Sequence, residues 1–136
     1  MKILADTSVW SLALRRKDPD QHPAATELAE LIVEGRVVML GAIRQELLSG
    51  VRGSRQFNAL RDRLRPFPDF PLTAEDYENA AACFNRCRTQ GIQGSNTDFL
   101  ICAVALHHGL GIFTTDRDFH QFAQVLPLVL HPERTR

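Results

Sequence analysis

Little in the sequence would cross-link the chain or hold it in a membrane. The three cysteines, Cys83, Cys87 and Cys102, include no CxxC pair, and an odd number makes a poor disulfide framework. The opening residues, MKILADTSVW, contain one lysine and an apolar run broken by Asp6, so we expect neither a signal peptide nor a spanning helix there. We expect reduced thiols packed as small core residues, no membrane contact, and a soluble protein of the cytoplasm.

The chain also lacks a net charge, because 16 basic residues balance 16 acidic ones. The molecule as a whole therefore offers no bulk attraction to nucleic acid. Lys2 and Lys17 are lysines and the other basic residues are arginines, several of which crowd into residues 52–65. The planar guanidinium group suits phosphate, whereas a charged helix face can equally be a solvated surface. The candidate phosphate contacts in this segment are Arg52, Arg55 and Arg61.

Neither a repeat, a low-complexity segment nor a linker interrupts the 136 residues, of which 44% are hydrophobic and 24% charged. This length and composition predict one globular domain, residues 1–136, with a core of its own. Short buried stretches alternate with helical spacing from end to end. The alternation predicts an α/β fold of three layers, α/β/α, in which helices cover a central parallel sheet.

Apolar stretches and helical spacing predict the individual elements. Strands are predicted at residues 2–6, 36–40, 110–116 and 126–131. Helices are predicted at residues 7–14, 23–34, 42–50, 54–67, 73–88, 97–109 and 117–125, with a turn at 17–23. We expect Thr7 or Ser8 to cap the first helix, and Ser95 or Asn96 to cap the helix at 97–109. That helix is apolar on nearly all sides, which predicts a central position.

Carboxylates occur just after predicted strands or at the start of predicted helices. Asp6 and Asp116 follow strands, Glu46 lies early in the helix after the second strand, and Asp98 lies in the first turn of the central helix. Because ligand sites of parallel sheets gather beyond the carboxyl ends of the strands, we expect these acids at one edge. Each acid could singly be a cap or a solvated residue. Together they would repel one another unless a cation neutralised them.

The chemistry of these side chains indicates which cation would bind. Ligand sets made only of oxygen favour Mg²⁺ or Mn²⁺ over zinc. A hard divalent ion held by carboxylates suits phosphodiester hydrolysis, since it activates water and polarises the phosphoryl oxygen. No imidazole site is expected, because His107 and His108 are adjacent and a helix would point them about 100° apart, which is poor spacing for shared ligation.

Segments of the chain resemble, in order and spacing, the acidic motifs of PIN-domain ribonucleases, and of VapC toxins in particular. The matching segments are ADTSVW at 5–10, QELLSG at 45–50, TDFLICAVALHHG at 97–109 and IFTTDRDF at 112–119. The resemblance spans nearly the whole chain, although residues 51–94 carry little that is specific. It implies a PIN-like fold and a Mg²⁺-dependent endoribonuclease, in which Mn²⁺ could substitute.

The resemblance also implies a role for individual residues. The catalytic, metal-binding acids would be Asp6, Glu46, Asp98 and Asp116. Ser8 and Thr115 match the small hydroxyl positions that support such clusters, and Asp118 suits a turn. RNA contacts would fall in the arginine-rich segment, at Arg52, Arg55 and Arg61.

The partners implied by the resemblance are an RNA substrate, a second copy of the chain in a homodimer, and a small antitoxin protein that covers the acidic groove. An exposed subset of apolar residues in two predicted helical regions could receive an amphipathic helix of that antitoxin. These residues are Trp10, Leu14, Leu47, Val51 and Phe57. A competing hypothesis is a non-catalytic module on the same fold that binds nucleic acid or protein and uses its acids only as caps.

Overall fold

Short parallel strands with buried side chains form the centre of the protein. The structure is a computed structural model and describes residues 1–15 and 22–132. Within these ranges the sheet has three strands, β1 (Ile3–Ala5), β2 (Val37–Val38) and β3 (Gly111–Phe113), in the order β2-β1-β3. Ile3 of the central strand pairs in parallel with Val37 on one side and with Gly111 on the other. All the side chains of β1 are at most 1% exposed.

Helices surround this sheet. The described ranges contain α1 (Thr7–Arg15), α2 (Pro23–Val33), α3 (Gly41–Leu48), α4 (Ser54–Leu64), α5 (Ala74–Thr89), α6 (Asn96–His108) and α7 (Asp118–Phe122). Helix α6 packs next to β3 and along α5, while α1 packs against α2 and α3. The prediction of an α/β fold built on a parallel sheet is therefore confirmed. None of the helices in the described ranges combines the length and the apolar surface needed to cross a membrane.

The central helix α6 begins and ends within one residue of the predicted bounds, 97 and 109. Ser95 Oγ accepts a hydrogen bond from the Asp98 N–H at 3.1 Å, and the Asp98 carboxylate accepts one from the Ser95 N–H at 3.2 Å. This reciprocal capping box fixes the first turn. Gly109 ends the helix with φ 68°, a left-handed conformation that favours glycine. Residues 99–105 are all buried, which confirms the central position of α6.

Two local predictions are wrong. Residues 126–131 do not form a regular strand: Leu130 makes an isolated parallel bridge to Ile112, and Pro127 cannot donate a ladder hydrogen bond. The cap of α1 is neither Thr7 nor Ser8 but Asp6, whose Oδ1 accepts from the N–H groups of Ser8 and Val9. Most of the turn predicted at residues 17–23 lies outside the described residues.

Candidate metal centre

Asp6 lies where β1 ends, beside the end of β3. Its N–H donates to the Phe113 carbonyl at 2.9 Å, so the main-chain pairing of β1 and β3 continues to this residue. The carboxylate is nearly buried, with the residue 4% exposed. Oδ1 accepts from the Ser8 hydroxyl at 2.5 Å, and Oδ2 accepts from the Thr114 hydroxyl at 2.6 Å. Hydroxyl donors on both sides therefore fix the carboxylate plane.

Thr114 connects Asp6 to Asp116. Its hydroxyl donates to Asp6 Oδ2 and accepts from the Asp116 N–H at 2.9 Å. Asp116 Oδ1 in turn accepts from the Asp118 N–H at 2.9 Å, which supports the turn into α7 and agrees with the turn role of Asp118. The sequence prediction chose the neighbouring Thr115, whose recorded contact is through its backbone: the Thr115 N–H donates to Ser8 Oγ at 3.1 Å.

Glu46 and Asp98 approach the site from two different helices. The Thr7 hydroxyl donates to Glu46 Oε1 at 2.6 Å, which joins α3 to the start of α1. Asp98 lies in the first turn of α6, held by Ser95. A polar hollow of about 570 Å³ separates these elements, with Thr7, Glu46 and Thr97 in its wall. The four predicted acids thus come from four segments that face one edge of the sheet.

The electrostatics of the acids show that they are neighbours. Burial raises the pKa of Asp98 above its ordinary value, and the charges of Asp116 and Glu46 raise it further. Burial likewise raises the pKa of Asp6, against hydrogen bonds from Ser8 and Thr114 that lower it, and the charge of Asp116 adds to the rise. Within the described residues, no Lys, Arg or His side chain forms an ion pair with any of these four acids. Among the side chains that the structure describes, none therefore balances the negative charge of the four acids by an ion pair.

The oxygen ligands that these acids offer suit a hydrated ion. In the described part of the chain, no three of the four offer oxygen atoms that all lie within 4.8 Å of one another. Capping and hydroxyl bonds engage one oxygen each of Glu46, Asp98 and Asp116, and the described part of the chain leaves the second oxygen of each available. Mg²⁺ keeps several waters and is bound through one or two carboxylates, so this open arrangement fits it. The capping roles therefore do not compete with cation binding.

A second group of possible ligands corrects the expectation for the adjacent histidines. The side chains of His107 and His108 both reach Asp76 Oδ1, at 3.3 and 2.9 Å. Their rings stack at 4.4 Å, which the 100° offset of their Cα–Cβ directions does not prevent. The Thr73 N–H, and then His108 and His107, hold the pKa of Asp76 at about 2, against the opposing effect of burial.

The predicted RNA contacts differ in their surroundings. Arg52 borders a hollow of about 700 Å³ between the end of α1 and α4, whose wall also includes Leu14, Val51 and Leu60. Arg55 is exposed on α4. Arg61 is paired with Asp62 at 3.1 Å, so part of its charge is already neutralised.

The predicted apolar groove residues also divide into two groups. Trp10 and Leu47 are at most 2% exposed and belong to the core. Leu14 and Val51 are half-buried in the wall of the 700 Å³ hollow, and Phe57 is 37% exposed on α4. Ser49 lies in the walls of both this hollow and the smaller polar one beside Glu46. This 700 Å³ hollow, an apolar groove with arginines at its rim, thus adjoins the acidic edge.

A short parallel sheet with carboxylates beyond the carboxyl ends of its strands defines the class: an α/β protein with a candidate acidic site at a sheet edge. A family model described as PIN domain matches residues 3–125, and the chain belongs to the PIN domain family. Nucleases of this family are typically metal-dependent. The resemblance seen in the four acidic segments is therefore confirmed.

Relatives and solved structures agree with this assignment. Ribonuclease VapC11 of Mycobacterium tuberculosis is 32% identical over 130 residues, which cover 93% of this chain and 95% of the relative, and a VapC ribonuclease of Mycobacterium bovis matches equally. The crystal structure of FitAcB from Neisseria gonorrhoeae has a TM-score of 0.76 and 26% identity, covering 98% of this chain and 99% of that one. VapBC2 from Rickettsia felis, bound to a DNA fragment from its promoter, shares the fold with a TM-score of 0.73 at 15% identity, covering 96% and 98%. The chain is a homologue of VapC ribonucleases.

Proposed function

We propose that the protein is an endoribonuclease that hydrolyses RNA phosphodiester bonds with the help of Mg²⁺, for which Mn²⁺ can substitute. The observation that carries the proposal is the cluster of Asp6, Glu46, Asp98 and Asp116 at one sheet edge, with no basic partner among the described residues. The homology to VapC ribonucleases supports the reaction type. The continuous core from Ile3 to Leu126 supports a single domain over residues 1–136.

The residues at this edge of the sheet would have different roles in the reaction. No donor within residues 1–15 and 22–132 engages the second carboxylate oxygen of Asp98, Asp116 or Glu46, and these oxygens would hold the ion together with Asp6. When bound, the ion supplies an activated water and neutralises charge on the phosphate. Ser8 and Thr114 keep the Asp6 carboxylate in one orientation, so little reorganisation is needed when substrate arrives. Arg52, at the rim of the neighbouring hollow, would hold the RNA backbone, with Arg55 and Arg61 further along α4.

We also propose that the protein is the toxin of a type II toxin–antitoxin pair in the cytoplasm and that it forms a homodimer. The relatives named as VapC ribonucleases support this assignment. An antitoxin would place an amphipathic helix in the 700 Å³ hollow, where Leu14, Val51 and Leu60 supply apolar contacts. Its basic side chains could then reach the acids, because an arginine pairs bidentately with carboxylates.

Cleavage of a mixed-sequence RNA by the purified protein tests the nuclease. We expect cleavage in Mg²⁺ that stops in EDTA, and a loss of about 100-fold or more in rate for Asp98→Asn, the scale for losing a preorganised electrostatic group. Glu78→Gln is the matched control, because it removes one exposed negative charge from α5. Equal rates for Asp98→Asn and Glu78→Gln would overturn the site. RNA binding without cleavage in any divalent ion would favour the non-catalytic binding module.

A further inference from the structure

The other group of ligands lies at the far end of α6. Asp98 lies in the first turn of this helix and His107 and His108 lie at its end, so at 1.5 Å per residue the two clusters are about 14 Å apart along the helix axis. His107, His108 and Asp76 present atoms that all lie within 4.8 Å of one another, and they form the one such group among the described residues. Asp76 belongs to the first turn of α5, so the group joins the two most closely packed helices of the fold.

The carboxylate of this group is already oriented. Asp76 Oδ2 accepts from the Thr73 N–H at 2.9 Å and from the Thr73 hydroxyl at 3.3 Å. These bonds turn Oδ1 towards the two imidazoles. Hydrogen bonds to the non-ligating side of a carboxylate are the usual way in which a protein fixes a metal ligand.

The imidazoles are held in place and remain accessible. The ring of Phe70 packs edge-on against His108 at 4.7 Å, and His108 stacks on His107. The His107 and His108 side chains are 37% and 30% exposed, whereas that of Asp76 is 1% exposed. An ion could therefore enter from solvent, and water could complete its coordination.

The nitrogen–oxygen separations in this group are close to those of a tetrahedral metal site. Zinc binds imidazole nitrogen and carboxylate oxygen at about 2.0–2.1 Å, which places neighbouring ligand atoms about 3.3 Å apart. The two N–O separations in this group are 3.3 and 2.9 Å. Two imidazoles with one carboxylate suit zinc, cobalt or nickel, whereas Mg²⁺ prefers oxygen ligands.

We propose that Asp76, His107 and His108 form a second cation site, specific for Zn²⁺ and similar borderline divalent ions, that clamps the start of α5 to the end of α6. The site is separate from the acidic edge in position and in ligand chemistry. Zinc would replace the hydrogen bonds between Asp76 and the histidines and would tie together two helices that are distant in sequence. The expected effect is on stability rather than on the cleavage reaction.

Titration of the untagged protein with Zn²⁺, in the presence of saturating Mg²⁺, tests this site. We expect one Zn²⁺ per chain, a raised melting temperature, and binding weakened tenfold or more in His107→Ala and in His108→Ala. His120→Ala is the matched control, because His120 is an exposed histidine on α7, and it should bind as the parent does. Asp98→Asn should also bind as the parent does. Parent-like affinity in both His107→Ala and His108→Ala, or loss of binding in Asp98→Asn, would overturn the proposal.

Cobalt in the unaltered protein provides a test that does not depend on a variant folding. Tetrahedral Co²⁺ with imidazole ligands absorbs visible light much more strongly than Co²⁺ in an octahedral set of oxygens. We expect the intense spectrum at one equivalent of Co²⁺, and its displacement by Zn²⁺ but not by Mg²⁺. An intense spectrum that Mg²⁺ removes, or only the weak octahedral spectrum of aqueous Co²⁺ at every ratio of Co²⁺ to protein, would overturn the second site.

Discussion

The two consecutive threonines that follow β3 differ in the contacts that their side chains make. The Thr114 side chain bonds both to Asp6 and to the Asp116 N–H, whereas the recorded contact of Thr115 is through its backbone. The resemblance to the PIN motifs favoured Thr115, which matches a small hydroxyl position, but the side chains of consecutive residues in extended backbone point to opposite faces. Only the course of the chain after β3 decides which threonine faces Asp6.

Replacing these two threonines separately tests their roles. Thr114→Val removes the donor to Asp6 Oδ2 with little change in shape, so we expect metal affinity or activity to fall about 10–100-fold, as for other supporting residues of metal sites. Thr115→Val keeps the backbone donor to Ser8 and should stay within a fewfold of the parent. The measurement is the cleavage rate as a function of Mg²⁺ concentration. A larger loss in Thr115→Val than in Thr114→Val would contradict this assignment.

At the scale of elements, α5 and α6 contain all three cysteines. Cys87 and Cys102 are buried and Cys83 is half-buried, and all are free thiols, as predicted. Burial raises the pKa of each thiol, so the reactive thiolate is disfavoured at neutral pH. These residues are therefore packing residues of the α5–α6 pair.

Changing Cys83, Cys87 and Cys102 together to Ala should leave Mg²⁺-dependent cleavage intact, because hard-ion chemistry uses oxygen ligands. The free energy of unfolding should fall by a few kcal/mol at most, from the lost packing of small side chains. Urea unfolding and the cleavage assay on the same preparation separate the two effects. A well-folded triple variant without activity would show that a thiol takes part in the reaction.

The proposed antitoxin groove is the 700 Å³ hollow, which is formed by α1, α4 and the end of α3. Val51→Asp places a charge in its wall, and we expect binding of a co-expressed antitoxin to weaken at least tenfold while RNA cleavage persists. The control is Val33→Asp, since Val33 is 88% exposed at the end of α2. The parent expressed alone should slow growth, and the product of the reading frame just upstream should restore growth and co-purify.

One result would contradict the antitoxin groove, and another would contradict the toxin assignment. Equal co-purification of Val51→Asp and Val33→Asp would exclude the groove as the antitoxin surface. A harmless parent that binds no neighbouring product would contradict the toxin assignment and leave the nuclease assignment standing.

For the whole molecule, the crowded acids should make stability depend on pH and on metal. The pKa values of Asp6 and Asp98 are raised, so the native protein holds protons more tightly than the unfolded chain does. The contribution of these two carboxyl groups to the stability of the folded protein therefore becomes less favourable as pH rises from about 4 through their raised pKa values. A bound cation replaces the protons, so Mg²⁺ should restore stability at neutral pH.

Asp98→Asn measures this effect directly, because Asn keeps an oxygen for the Ser95 N–H and removes the charge. In EDTA at pH 7.5 we expect the variant to be more stable than the parent, with a difference that shrinks towards pH 5. Mg²⁺ should raise the melting temperature of the parent more than that of the variant. Thermal and urea unfolding across this pH range provide the comparison. A variant that is less stable than the parent at every pH would mean that the acids do not repel one another in the native state.

The sequence alone determined the features that depend on local pattern. Alternating buried and helical stretches specified the parallel α/β class, and the Ser95–Asp98 pair with Gly109 specified both ends of α6, because caps and periodicity act over a few residues. The acids were identifiable because charged residues are costly beside buried strands and therefore stand out. Residues 126–131, which were predicted as a strand, have the apolar pattern of one. The pattern does not reveal how many of these residues pair with a neighbouring strand.

Only the tertiary structure decided which side chains meet. Thr114 and Asp6 are 108 residues apart in sequence, and Asp76 and His108 are 32 apart. The packing of β1 beside β3 makes the first contact, and the packing of α5 along α6 makes the second. No local rule predicts that two adjacent histidines turn towards one carboxylate, because their side-chain rotamers follow from Phe70 and Asp76 on other segments. Contacts of this kind depend on how the elements pack, and packing is a property of the whole folded chain.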